Sequence, residues 1–263
     1  MQVQNGSCLV SEDLSVRFGG LMALDSVNIS INEGETVGLI GPNGSGKTTL
    51  INVITGVYRA TAGRLLFRGQ VITGLQPYEI RAKGIARTFQ SNRMCWRLNV
   101  MDNILLGLHS KQTTSWWKVI TNRRAWQKEL TLGIEKVTTL LADLSPSLLS
   151  KLHAPMSSVP LIDRRRAEIA RALISEPILL LLDEPTAGLN PVETMQIVDD
   201  VAKFKSMYPQ MSIIIIEHDM GVISRISDRV VVLNAGKVIA DGSYNEVVEN
   251  PEVQKAYLGD EEI

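Results

Sequence analysis

Residues 37–54 constrain this chain more than any other stretch. Val37-Gly38-Leu39-Ile40 is a short apolar run of the kind that forms a buried parallel strand. It breaks into Gly41-Pro42-Asn43-Gly44-Ser45-Gly46-Lys47-Thr48, a full match to G-x-x-x-x-G-K-[ST], and continues as the helical run Thr49-Leu50-Ile51-Asn52-Val53-Ile54. Strand, glycine loop and helix in that order are the context a phosphate-binding loop requires. Glycines remove side chains so that backbone N–H groups can turn inward as an anion nest, and the helix aims its positive end at the same point. In this reading Lys47 reaches the β- and γ-phosphates and the Thr48 hydroxyl ligates Mg²⁺.

The rest of the chain bounds what surrounds that loop. The 263 residues fit one large α/β domain or a domain with an inserted subdomain. A 44% hydrophobic and 21% charged composition is that of a globular protein. With a net charge of −1 and no basic stripe, nucleic acid is not expected as a partner. Cys8 and Cys95 match no metal spacing and read as free thiols of a reduced compartment. No secretory signal is expected at the N-terminus, and no apolar run approaches the roughly 20 residues of a membrane helix. Service to a membrane would therefore come from the cytoplasmic face and through partners.

In chain order, residues 8–18 and 24–31 read as strands joined by Gly19-Gly20, an antiparallel hairpin. Residues 63–69 read as another short strand, 78–83 as a helix starting near Pro77, and Ile85–Phe89 as a strand ending in Gln90. From Ser91 to about residue 175 the pattern is helical. Asn99 is placed to cap a helix over Val100–Leu108, and Leu132, Val137, Leu140, Leu141 and Leu144 mark a long helix. Trp116, Trp117 and Trp126 crowd residues 110–128, as the packing of a helical hairpin or as a partner-facing surface. Residues 164–173 read as a helix capped by Asp163, with its arginines on a solvated face.

Two later stretches return to parallel-strand character. Ile178–Leu182 is apolar throughout, the mark of a strand buried on both faces, and it ends in Asp183-Glu184-Pro185. Ile213–Ile216 ends in Glu217-His218-Asp219. Ligands of α/β sheets bind outside the carboxyl ends of the strands, where these acids lie. Asp183 there can hold Mg²⁺ or its water, and Glu184 can polarise the water that attacks a γ-phosphate. His218 can contact charge developing on the transferred phosphoryl group. A hairpin over 229–240 and a helix near Tyr244–Glu249 close the chain. The expected fold is α/β: a parallel-sheet core with an N-terminal antiparallel β subdomain and a helical insertion of roughly eighty residues.

Along its whole length the chain resembles an ATP-binding subunit of the ABC-transporter family. The resemblance rests on the phosphate loop Gly41–Thr49, Gln90, the strand ending in Asp183, Glu184, Ala187-Gly188-Leu189-Asn190 and His218. Within that family it is most similar to the ATPases of branched-chain amino-acid importers, through Phe18–Leu24, Ala86-Arg87-Thr88-Phe89-Gln90 and the ending Val253–Gly259. The resemblance implies ATP and Mg²⁺, Glu184 as catalytic base, His218 as the switch histidine, and Gln90 beside Thr48 and Asp183 at the metal. It also places Phe18 where an aromatic stacks on adenine. The partners it implies are a second ATPase subunit, two transmembrane permease subunits and, indirectly, a substrate-binding protein.

One element departs from the family pattern. Where the family carries L-S-G-G-Q, this chain has Val159-Pro160-Leu161-Ile162-Asp163. Pro160 offers neither hydroxyl nor N–H, Leu161 and Ile162 add bulk, and Asp163 brings a negative charge to a motif that faces phosphate on the opposite subunit. The leading expectation is an ATPase subunit powering import as one half of an asymmetric dimer. A nucleotide-binding regulatory subunit with little hydrolysis, and a non-transport ABC ATPase, are the alternatives.

Overall fold

The computed structural model describes residues 6–88, 94–111 and 123–258. The chain opens with β1 (Ser7–Phe18) and β2 (Leu21–Asn32), a long antiparallel hairpin. After β3 (Thr36–Ile40) and α1 (Lys47–Ile54), β4 (Ala62–Phe67) and β5 (Gln70–Val71) complete a four-stranded antiparallel sheet in the order β2-β1-β4-β5. The helix α2 (Pro77–Ala82) and the edge strand β6 (Ile85–Arg87) follow. Phe89 and Gln90 lie outside the described residues.

The second sheet holds the sites of interest. It joins β6 to β7 (Leu179–Asp183), β8 (Ser212–Ile216), β9 (Arg229–Asn234) and β10 (Lys237–Gly242) in the order β10-β9-β3-β8-β7-β6. Every pairing in it is parallel except that of β10 with β9. The unbroken apolar runs of β7 and β8 follow from their place at its centre. Leu180, Leu182, Ile213 and Ile215 face one hydrophobic cluster with the helices of the insertion, while Leu179, Leu181, Ile214 and Ile216 face a second with α1 and the antiparallel sheet. A strand covered on both sides has no wet face to alternate with.

Between β6 and β7 run α3 (Val100–Leu105), a 3₁₀ helix (Leu106–Lys111), α4 (Arg123–Leu144), α5 (Pro146–Leu149), a 3₁₀ turn (Met156–Ser158) and α6 (Leu161–Leu173). Asn99 caps α3 as expected, its side chain accepting the Asp102 N–H at 2.7 Å. The α-helix ends earlier than Leu108 because Gly107 passes against α6. A Cβ there would lie 2.1 Å from Arg171 O, and the Gly107 carbonyl accepts from Arg81 Nη2 at 2.6 Å. In α4, Val137, Leu140 and Leu141 are buried, whereas Leu132 is exposed. Trp126 is partly exposed, and Trp116 and Trp117 lie outside the described residues.

Two expectations for α6 need correction. Asp163 does not cap the helix: Pro160 occupies the N-cap, and Asp163 sits buried inside the first turn. Its carboxylate is held by Lys151, by Ser147 at 3.3 Å and by Arg166 at 3.5 Å, so it cannot serve the helix N-terminus. Nor do the arginines form one solvated face. Arg165 is buried and donates to Ala187 O at 3.1 Å, and Arg166 pairs with Asp200 at 2.7 Å. Periodicity misreads such residues because a buried arginine with partners has the same spacing as an exposed one. The remaining helices are α7 (Pro191–Met207), α8 (Met220–Ile226), α9 (Tyr244–Glu249) and α10 (Pro251–Leu258). Among the described residues no helix is long and apolar enough to cross a membrane.

Candidate functional site

The loop between β3 and α1 takes its shape from backbone conformations that only glycine adopts freely. Gly41 has φ +146°, and a Cβ there would lie 2.0 Å from Leu233 O of β9. Gly44, at φ +79°, has open space where a Cβ would be. The first glycine is thus required by packing against the sheet, the second by its left-handed backbone alone. The Ser45 N–H donates to Pro42 O at 3.1 Å, and the Ser45 carbonyl accepts from Gly236 at 2.9 Å, tying the loop to the β9–β10 turn. Gly46 is the N-cap of α1, which places Lys47, Thr48 and Thr49 in the helix's first turn.

Lys47 is 7% exposed, and its ammonium donates to Gly41 O at 2.7 Å and Pro42 O at 3.1 Å. Burial pushes its pKa down, opposed by the nearby Glu184 and Asp183 carboxylates. Asn43 through Thr49 line a cleft of 570 Å³ whose walls also include Phe18, Met22, Glu184, His218 and Gly236. Phe18 is 45% exposed and meets the Tyr58 ring edge-on at a centroid distance of 5.2 Å. It ends β1, at the hairpin turn where the sequence reading put it.

Across the cleft stand the carboxyl ends of β7 and β8. Glu184 has φ +48°, a left-handed conformation uncommon for a side chain of its size, and such strain clusters at functional sites. Its N–H donates to Ile216 O at 2.9 Å, and its Oε1 lies 2.9 Å from His218 Nε2. The two residues chosen as catalytic are therefore in contact. Beside them, buried Glu217 accepts both the N–H and the hydroxyl of Thr186, at 2.8 and 2.7 Å. Desolvation pushes the Glu217 carboxyl above its usual range. Consecutive residues after β8 thus hold the segment after β7, Glu217 through Thr186 and His218 through Glu184. Asp219 caps α8, accepting the Gly221 N–H at 2.8 Å.

Asp183 is not open to solvent: its Oδ2 accepts from Arg87 Nη2 at 2.7 Å, and its N–H donates to Thr88 Oγ1 at 3.2 Å. Arg87 and Glu217 were given no role from sequence. Arg87 sits in the Ala86–Gln90 stretch that carried resemblance, and Glu217 stands immediately before His218; proximity to assigned residues was the only available signal. Gln90 lies outside the described residues, so its place relative to Thr48 and Asp183 is not part of this geometry. The Val159–Asp163 segment differs from expectation in one respect. The Asp163 charge is turned into the helical layer and neutralised there, while Val159 and Ile162 are buried and Pro160 is exposed.

Comparison with known proteins shows the family. The sequence pattern of the ABC transporter family matches residues 24–187, and that of the branched-chain amino acid ATP-binding cassette transporter matches residues 237–263. The chain is 37% identical over 252 residues to the high-affinity branched-chain amino acid transport ATP-binding protein LivG of Salmonella typhimurium, covering 96% of this chain and 98% of that one. It is 37% identical to the corresponding BraF of Pseudomonas aeruginosa, covering 94% and 96%. A nucleotide-free ATP-binding cassette from an ABC transporter superposes with a TM-score of 0.83 at 32% identity, covering 96% of this chain and 99% of that one. A second cassette, in its ADP conformation, superposes with a TM-score of 0.82 at 31% identity, covering 97% and 100%. With this family pattern over most of the chain and relatives 37% identical along nearly its whole length, the chain belongs to the ABC transporter family, as one of its ATPases.

Proposed function

We propose that this chain binds and hydrolyses ATP as the energy-coupling subunit of an importer for branched-chain amino acids, working from the cytoplasmic face of the membrane through permease subunits. The observation that carries the reading is the contact of His218 with Glu184 across a cleft whose other wall is the Lys47 loop. In that cleft the loop N–H groups and Lys47 bind the β- and γ-phosphates, and Phe18 offers its face to the adenine. Glu184 accepts the proton of the attacking water, and His218 orients Glu184 and meets the charge that develops on the phosphoryl oxygens.

Thr48 and Asp183 suit magnesium because both are hard oxygen donors and the Asp183 carboxylate is already oriented by Arg87. Among the described residues no group of three or more His, Cys, Asp or Glu is placed to hold a metal ion. That is the expected pattern for an ion held by one or two protein oxygens together with phosphates and water. Bound there with Gln90, magnesium would neutralise charge on the phosphate oxygens.

The Val159–Asp163 segment supports an asymmetric dimer. It presents no hydroxyl from Pro160 and no glycine backbone to a partner's phosphates, while its own phosphate loop, Glu184 and His218 are intact. A partner ATPase with a complete signature would make the site built on Lys47 and Glu184 competent. The test is purification of this chain alone and together with its permease and partner ATPase. Magnesium-dependent hydrolysis in the complex, with turnover at least about 10²-fold lower for the chain alone, is expected from the missing transition-state donors. Equal turnover of the isolated chain would overturn the asymmetry, and no hydrolysis in the assembled complex would overturn the energy-coupling role.

A further inference from the structure

Arg87 has no role in any motif read from the sequence, yet its guanidinium joins three elements of the site. Nη2 donates to Asp183 Oδ2 at 2.7 Å, and Nη1 donates to Asn52 Oδ1 at 2.6 Å with Thr55 Oγ1 at 3.5 Å. The side chains of Arg87 and Asp183 are 8% and 4% exposed. Asn52 lies in α1, whose first turn carries Lys47 and Thr48, and Asp183 ends β7 next to Glu184. Arg87 itself ends β6, in register with Leu181 of β7. The next residue, Thr88, holds the main chain of the same acid: its hydroxyl accepts the Asp183 N–H, and its own N–H donates to Leu181 O at 2.9 Å.

A planar guanidinium fork fixes the directions of its donors, so one side chain can hold a carboxylate and an amide oxygen together. With the backbone of Asp183 set by Thr88 and one carboxylate oxygen set by Arg87, the carboxylate plane has little freedom to turn. The second oxygen, Oδ1, is left outside that bond. Removal of the guanidinium would strand a buried carboxylate and release the link to α1.

Building on the nucleotide site proposed above, we infer that Arg87 is a positioning residue for the metal. It turns the Asp183 carboxylate so that one oxygen is presented toward the magnesium of Mg-ATP, and through Asn52 it couples that orientation to the helix bearing Thr48. Partners that orient metal ligands from behind are typically worth about 10–100-fold in metal affinity or activity.

The experiment uses the full chain and follows the anisotropy of a fluorescent ATP analogue, in EDTA and across a magnesium titration. Arg87→Lys keeps the charge and the fold but cannot reproduce the fork; Arg87→Gln removes the charge as well. Asn52→Ala removes only the α1 anchor. For Arg87→Lys and Arg87→Gln the magnesium midpoint is expected to rise about 10–100-fold, with binding in EDTA unchanged. Asn52→Ala should raise it by less. Thermal unfolding of each variant identifies any that fail to fold, and Arg87→Lys then carries the comparison. A folded Arg87→Lys with a wild-type midpoint overturns the inference, as does equal loss with and without magnesium, which is the mark of a merely structural arginine. If wild-type binding ignores magnesium altogether, the metal site itself falls. If wild-type binding responds to magnesium and the folded variants keep its midpoint, Arg87 alone does.

Discussion

The chain contains two turns that lead into a helix and that the family pattern would bring to phosphate, and they are built in opposite ways. Ahead of α1 the N-cap is Gly46 at φ +109°, and Gly44 leaves open space outside the loop. Ahead of α6 the N-cap is Pro160 at φ −54° and ψ 155°, followed at once by Leu161, Ile162 and Asp163. Both helices have the unpaired N–H groups and positive end that attract anions. Only the first also has a loop without side chains in the way and an ammonium, Lys47, within it. The acid in the second turn is spent on Lys151 and Arg166 of its own layer. A helix N-terminus therefore makes a phosphate site only when the approach to it is cleared.

The largest effect that would break this contrast is expected at Lys47. Lys47→Ala removes the one full positive charge of the first turn, and ATP turnover in the assembled complex should fall by about 10³-fold, the upper range for losing a preorganised electrostatic donor. Nucleotide-binding titration and steady-state hydrolysis measure it; unchanged values for both would remove Lys47 from the site. Next comes Glu184→Gln, which keeps the shape of the cleft. Binding should persist while hydrolysis drops about 10²-fold or more, the scale of a lost general base. A nearly unchanged rate would mean that Glu184 is not the base or that the partner's site carries the flux.

The contrast is sharpened by giving the second turn the features of the first. Replacing Val159–Asp163 with Leu-Ser-Gly-Gly-Gln should raise ATP turnover of the isolated chain by about 10²-fold, the worth of one restored transition-state donor. No gain, in a protein that still unfolds cooperatively, would mean that the present residues already work. The smallest effect belongs to Asp163→Asn. It leaves Arg166 with Asp200 but strips Lys151 of its counter-charge, and because Lys151 is partly exposed the loss should be about 1–2 kcal/mol rather than the 3–5 of a fully buried pair. Denaturant unfolding reads this directly, and turnover per folded molecule should not change if the acid serves only its own layer.

The difference between the two turns also marks how far the sequence can be read. The phosphate loop, the apolar strands β7 and β8 and the acids at their ends were legible because each is a local pattern: a period, a run or a motif within a few residues. The same local reasoning put Asp163 at the cap of α6 and the arginines after it in water. It failed there because a cap and a buried ion pair ask for the same residue types. Leu132 shows the same limit: it is one of the apolar positions that marked the long helix, yet its side chain is exposed while Val137, Leu140 and Leu141 are buried.

The sequence by itself therefore determined the strand–loop–helix of the phosphate-loop motif, the parallel-strand character of the core and the acids Asp183 and Glu184 after one of its strands. Tertiary structure alone decided which side chains those acids meet. Arg87 reaches Asp183 across 96 positions of chain, His218 reaches Glu184 across 34, and Thr186 reaches Glu217 across 31. Such contacts leave no period in the sequence. They arise because parallel pairing of β6, β7 and β8 brings three strand ends side by side, so the partners of a residue are set by sheet order and not by its neighbours in the chain.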